Sequence, residues 1–202
     1  MNLPLVLIDR SHAKITILSL NRPDKRNALN IELLEALCEV IEETNRLNDQ
    51  RVLILRGEGP VFCAGLDLME ANDEIKTKKS AELIARLFTA VYTSPLITIA
   101  TVHGAAVAGG AGLMAACDFV LAAPETVFGF PETRRGLVAA LVLVILRKQL
   151  TQRDIKELLL LGELIDVERA LKMGLVTRII KGDDLISETL KIAGSVDLGA
   201  PD

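Results

Sequence analysis

Two loops rich in small residues hold main-chain groups that could do chemistry. The first reads Val61-Phe62-Cys63-Ala64-Gly65-Leu66-Asp67-Leu68, and the second Val102-His103-Gly104-Ala105-Ala106-Val107-Ala108-Gly109-Gly110-Ala111-Gly112. Small side chains let a ligand approach the backbone closely. The second loop leads into a helical stretch, so its N–H groups lie where a helix leaves donors without acceptors and favours negative charge. Packing of a helix against a sheet is the competing reason for the same glycines.

The side chains narrow the choice. Glu132, after Pro131, could move a proton, or could cap a helix at the surface. Asp67 reads as the cap of the turn that follows it, and Asp118 as the end of the glycine-rich helix. Arg134 and Arg135 either pair with Glu132 or face solvent. His12 and His103 are far apart and lack partners at ligand spacing, so no metal site is expected. No Lys-Ser/Thr follows the glycines, which argues against a phosphate-cradling loop. No G-x-S-x-G elbow occurs, which argues against an acyl-serine hydrolase. Residues 110–115 (GAGLMA) fit the dinucleotide fingerprint G-x-G-x-x-A. Asp118 comes too early to be its ribose acid, and the preceding strand lies mid-chain.

These loops need strands and helices to hold them. Residues 5–8 and 15–20 read as strands around a polar turn at 9–11. Pro23 keeps the loop 22–27 out of helix. Asn30 can cap a helix whose Leu33, Leu34, Leu37, Val40 and Ile41 follow the helical period. Strands are expected at 52–55, 96–102, 119–122 and 175–180, and helices at 80–92, 113–116 and 168–172, the last closed by Gly174. Thr151 with Asp154 reads as a helix start. Strands alternating with helices predict an α/β domain with mainly parallel pairing.

Composition sets the class. The chain has 202 residues, half hydrophobic and a quarter charged, as in globular proteins. Aromatics are scarce (five Phe, one Tyr, no Trp), so Leu, Ile, Val and Ala must build the core. A net charge of −4 argues against nucleic-acid or membrane-surface partners. Lys76, Lys78 and Lys79 form a local basic cluster, read as a solvated helix start. Three cysteines without a CxxC pair suit a reducing compartment. The first residues lack the basic and apolar regions of a signal peptide, so a cytoplasmic protein is expected.

Four motifs in order carry a more specific signal: residues 21–29 (NRPDKRNAL), the loop at 62–67, the segment 104–118, and Phe128-Gly129-Phe130-Pro131-Glu132 with Gly136. Together they resemble the crotonase (enoyl-CoA hydratase/isomerase) superfamily from Ile15 to about Ile180. The resemblance implies the ββα spiral fold of that family, here one domain over 1–202 with a core at about 3–180. It implies an acyl-CoA enzyme of fatty-acid or related metabolism. The N–H groups of Leu66 and Gly109 would hold the thioester oxygen, with Glu132 as general acid/base. Lys25 and Ala28 would meet the coenzyme A moiety. Ala64, Gly65, Asp67, Leu68, Gly110, Gly112 and Pro131 would complete the substrate surface. Coenzyme A would enter as part of the substrate, with no separate cofactor. A trimer or hexamer is the implied assembly.

The chain departs from the family in two places. Hydratases of the family often use two glutamates, and the position of the first is Gly112. A lone Glu132 suits double-bond isomerisation, yet relatives with a small residue at the first position are assigned as hydratases, so both remain open. So does a non-catalytic protein that binds acyl-CoA or a partner. Relatives also continue into C-terminal helices beyond the point where this chain stops, so cover over the apolar run 137–146 is expected to be incomplete.

Overall fold

The structure, a computed structural model, describes residues 3–67, 69–70, 73–136, 139–181 and 185–197. Six strands form the main sheet: β1 (Val6–His12), β2 (Ile15–Leu20), β3 (Val52–Gly57), β4 (Ile97–Val102), β6 (Phe119–Ala122) and β8 (Arg178–Ile179). Their spatial order is β1-β2-β3-β4-β6-β8, with β1 antiparallel to β2 and every later pair parallel. Helices α1 (Ile31–Thr44), α2 (Glu74–Tyr92) and α3 (Gly109–Ala115) supply the crossovers, as parallel strands require. The α/β class and its mainly parallel sheet are therefore observed.

The inner strands are apolar almost throughout because both faces of the sheet are covered. Leu18, Leu20, Leu53, Leu55, Ala100, Val102 and Val120 belong to the main core, with Leu33, Leu37 and Ile41 of α1 and Leu87 of α2. The alternate residues Ile15, Ile17, Val52, Ile54, Ile99 and Leu121 form a second cluster. That cluster is covered by Leu185, Ile186, Leu190 and Ala193 of α7 (Leu185–Asp197).

Several expected boundaries move. β1 runs through 9–11, and the chain turns instead at Lys14, where φ is 60°. Pro23 starts a 3₁₀ turn, Pro23–Lys25, because a proline is tolerated in the first turn, where its missing N–H is not needed. Asn30 does cap α1, its side chain accepting from Leu33 N at 3.1 Å. α2 begins six residues before the expected start, since Asp73 accepts from the amides of Ile75 and Lys76. Lys76, Lys78 and Lys79 thus lie in its first turns, with Lys79 Nζ 2.6 Å from Glu35. The strand expected over 175–180 is reduced to two residues, Arg178–Ile179. α7 was not foreseen.

A small second layer holds the loops. β5 (Ala105–Val107) pairs in parallel with β7 (Val127–Gly129). On its other side Cys63 bridges Ala106, and beyond it Leu66 bridges Leu29. α4 (Ala140–Gln149), α5 (Gln152–Lys156), a π-helical turn Glu157–Leu161 and α6 (Val167–Met173) follow. Thr151 caps α5, and Gly174 ends α6 with φ 90°. Among the described residues no helix is long and apolar enough to cross a membrane, and no group of three His, Cys, Asp or Glu side chains could hold a metal.

Candidate functional site

The two glycine loops lie side by side. Cys63 N donates to Ala105 O at 3.1 Å, and Val107 N to Cys63 O at 3.0 Å, so the first loop runs as an extra strand beside β5. The first loop then leaves through Gly65 (φ 93°) and the second through Ala108 (φ 51°, ψ −121°). A residue with positive φ turns the next peptide over, and here the next residues are Leu66 and Gly109. Ala108 adopts this geometry despite its Cβ, a strain of about 1–3 kcal/mol that the surrounding packing must offset. Its own amide is anchored to Gly129 O at 2.8 Å.

Among the described residues both following amides are without acceptors. Leu66 is flanked by the two bonds of a parallel bridge, in which Leu29 N donates to Gly65 O and Asp67 N to Leu29 O, and Leu66 N takes no part. Gly109 is the first residue of α3, where no intrahelical acceptor exists. The two groups are neighbours: a Cβ placed on Gly109 would lie 3.7 Å from Leu66 N, and one placed on Gly65 3.3 Å from Gly109 N. They open on a cavity of about 450 Å³ walled mainly by apolar groups, Val61, Ala64, Ala105, Val107 and Val127 among them. That volume suits a small-molecule site.

Glu132 lines the same cavity, carried by the 3₁₀ turn Pro131–Arg135. Its Oε2 is buried and has no partner among the described residues. Burial pushes its carboxyl above the ordinary glutamate range, opposed by a hydrogen bond from its own amide. Such a group holds a proton more readily than a surface acid and is a candidate proton carrier. Arg134 lies 4.0 Å from Glu163 rather than on Glu132; the side chain of Arg135 lies outside the described residues.

Of the residues singled out from sequence, Ala64, Leu66, Asp67, Gly109, Pro131 and Glu132 meet on this cavity. Leu68 lies outside the described residues. Lys25, Ala28, Gly65, Gly110 and Gly112 are not on its wall. Gly65 shapes the turn instead, and Gly110 and Gly112 serve packing. A Cβ on Gly110 would sit 2.4 Å from Cys63 O, and one on Gly112 2.4 Å from Phe88 Cζ. This accounts for the G-x-G spacing without a dinucleotide. Arg26, Glu70, Thr77, Ser80 and Leu164 reach the cavity although sequence reading did not place them there. Glu70, Thr77, Ser80 and Leu164 lie outside the four motifs, and no local spacing marks them, whereas Arg26 belongs to the motif at 21–29.

The acids divide by role. Asp67 accepts from Met69 N at 3.1 Å, as expected of a turn cap, and also pairs with Arg22 at 3.1 Å. Arg22 in turn donates to Ala28 O, which ties residues 22–28 to the first loop. Asp118 does not end the helix: it accepts from both N and Oγ1 of Thr98 at 2.8 Å and so anchors the start of β4. Cys63 is no nucleophile, because burial pushes its thiol up to about 12.

Residues 10–200 match the family model described as Enoyl-CoA hydratase/isomerase. The chain belongs to this family. A Thermus thermophilus protein provisionally named an enoyl-CoA hydratase is 37% identical over 203 residues, covering 98% of this chain and 79% of its own length. Human enoyl-CoA hydratase domain-containing protein 3, mitochondrial, is 33% identical over 88% of this chain, which spans only 59% of that relative. The crystal structure of enoyl-CoA hydratase from Bacillus anthracis superposes with a TM-score of 0.92 at 29% identity, covering 96% of this chain and 77% of that one. The crotonase fold expected from the motifs is thus observed.

Proposed function

We propose that this chain acts on enoyl-CoA thioesters through an enolate held by Leu66 N–H and Gly109 N–H, with Glu132 moving the proton. One observation carries the reading. Two neighbouring amides, each turned outward by a positive-φ residue, open on the cavity that holds a desolvated carboxyl whose Oε2 has no partner among the described residues. An enolate oxygen needs such preorganised donors, and loss of one typically costs about 3–4 kcal/mol.

A single carboxylate can balance either reaction. In isomerisation Glu132 takes the C2 proton of a 3-enoyl thioester, the double bond shifts to C2=C3, and the proton returns at C4. In hydration Glu132 takes a proton from water as the oxygen bonds to C3, and the enolate then receives that proton at C2. Absence of a second glutamate favours isomerisation chemically, while names among the relatives, such as the mevalonyl-coenzyme A hydratase of Aspergillus fumigatus, 32% identical over 93% of this chain, favour hydration. Following the conjugated thioester absorbance decides between them. Loss from crotonyl-CoA marks hydration, and gain from a 3-enoyl-CoA marks isomerisation. No change in either, with acyl-CoA still bound, supports the non-catalytic reading that Gly112 motivates.

Self-association belongs to the same proposal. Leu141 and Val144 of α4 are 44% and 66% exposed, and apolar surface of this kind favours association. A trimer or hexamer is expected by light scattering.

A further inference from the structure

Helix α2 presents one stripe to α3 at four-residue spacing: Phe88, Ile84 and Ser80. Phe88 fills the space beside Gly112, and Ile84 Cδ1 lies 3.4 Å from where a Gly109 Cβ would stand. Ser80 is one turn further on, past the first residue of α3, and lines the cavity into which the two free amides open. It is only 6% exposed, and its hydroxyl has no hydrogen-bond partner among the described residues. A serine at the end of an otherwise apolar stripe is costly unless something bonds to it. Water can serve while the cavity is empty, but an acyl chain that displaces water must replace its hydrogen bonds.

Resting on the enoyl-CoA reading above, we infer that Ser80 selects acyl groups bearing a neutral hydrogen-bonding substituent, a hydroxyl or keto oxygen. The charges on the wall favour a neutral substituent over an acidic tail. Among the described lining residues Asp67 is paired with Arg22 and Glu132 holds its proton more readily than a surface acid, which sets the carboxylate of Glu70 against the guanidinium of Arg26, so the wall offers an acidic tail no surplus of cations in a partly desolvated space. A hydroxyl both donates and accepts, as does Ser80 itself.

The test compares kcat/KM for 4-hydroxybut-2-enoyl-CoA, crotonyl-CoA and glutaconyl-CoA in the wild-type protein, Ser80→Ala and Ser80→Thr. The wild type is expected to favour the hydroxylated substrate over crotonyl-CoA. Ser80→Ala reduces that ratio about tenfold, Ser80→Thr keeps most of it, and glutaconyl-CoA is the poorest substrate throughout. A ratio unmoved by Ser80→Ala overturns the inference, as does a preference for glutaconyl-CoA. If acyl-CoA binds without turnover, the catalytic reading fails separately. The same ratio is then read from the Kd values of 4-hydroxybutyryl-CoA and butyryl-CoA, and the inference stands if Ser80→Ala erases the difference and falls if it does not. A protein that binds no acyl-CoA overturns both.

Discussion

Gly65 and Ala108 press directly against each other: a Cβ on Gly65 would lie 2.8 Å from the Ala108 Cβ and 2.9 Å from Val107 O. Each also has positive φ and precedes one of the two free amides. The contact therefore fixes the separation of those donors, so the packing of one loop on the other sets the geometry of the hole. Gly65→Ala is expected to cost about 3 kcal/mol, from its strained φ together with the collision. Turnover of the enoyl-CoA substrate should fall about 10²–10³-fold as the Leu66 amide is displaced. Urea denaturation with steady-state kinetics checks both. Full activity in a stable variant would show that the Leu66 amide does not bind the oxyanion.

Ala108 carries the complementary test. Ala108→Gly removes the strain at φ 51°, offset in part by the greater freedom of glycine in the unfolded chain. A net stabilisation of about 1 kcal/mol is expected. Turnover should nonetheless fall, because the peptide that aims Gly109 N–H is no longer held. A higher Tm with lower kcat is the signature to look for.

The elements around this contact were legible to different depths. β6 has the expected bounds, and the Asn30 cap was readable because a capping residue and a helical period sit together in sequence. α2 begins early because its first turns, EIKTKK, are charged and hide the period, while Asp73 caps them. The glycine loops could be found from their small residues, but which glycines face the cavity could not. Gly110 and Gly112 are needed by Cys63 and Phe88, neighbours supplied by other elements. Arg22 and Asp67 are 45 residues apart, so their ion pair left no spacing to read.

Glu132 should give a pH signature in both activity and stability. Its folded pKa is raised by burial, so the folded state binds its proton more tightly than the unfolded chain does. Its contribution to stability is therefore fully present below the ordinary glutamate value and is lost as pH rises through the raised one. Glu132→Gln, which cannot ionise, should raise Tm at pH 7 and leave it nearly unchanged at pH 4. The same variant should lower kcat about 10²–10⁴-fold, and wild-type kcat should rise with pH through an apparent pKa above the usual carboxylate range. Unchanged turnover would remove Glu132 from the reaction.

Asn27 braces the first loop from beneath. It is fully buried at φ 54°, and its Nδ2 donates to the carbonyls of Glu58, Val61 and Phe62 at 2.8–3.1 Å. Its Oδ1 accepts from Arg22 N. Asn27→Ala leaves these carbonyls without their donor and should cost about 3 kcal/mol. Asn27→Asp puts a carboxylate among carbonyl oxygens, so it should be worse than alanine at pH 7. It should recover part of the loss at pH 4, where the protonated carboxyl can donate one bond. Chemical denaturation at the two pH values distinguishes this network from simple loss of volume.

Gly112 suggests restoring the second glutamate of many hydratases, and the structure predicts that this fails alone. Phe88 Cζ stands 2.4 Å from where the new Cβ would be, with Cε2 at 2.7 Å. Both residues are buried in the main core, so the ring has nowhere easy to go. Gly112→Glu also puts a carboxyl into an apolar contact with no cation beside it. The two effects together should cost about 4 kcal/mol, enough to leave little folded protein for assay. Phe88→Ala alone should cost about 3–5 kcal/mol by leaving a cavity. Combined with Gly112→Glu, it vacates the space the side chain needs, so the double variant should be more stable than the sum of the two losses predicts. A coupling of about 1–2 kcal/mol is expected in a denaturation cycle. Strict additivity would mean that Phe88 does not exclude a side chain at position 112.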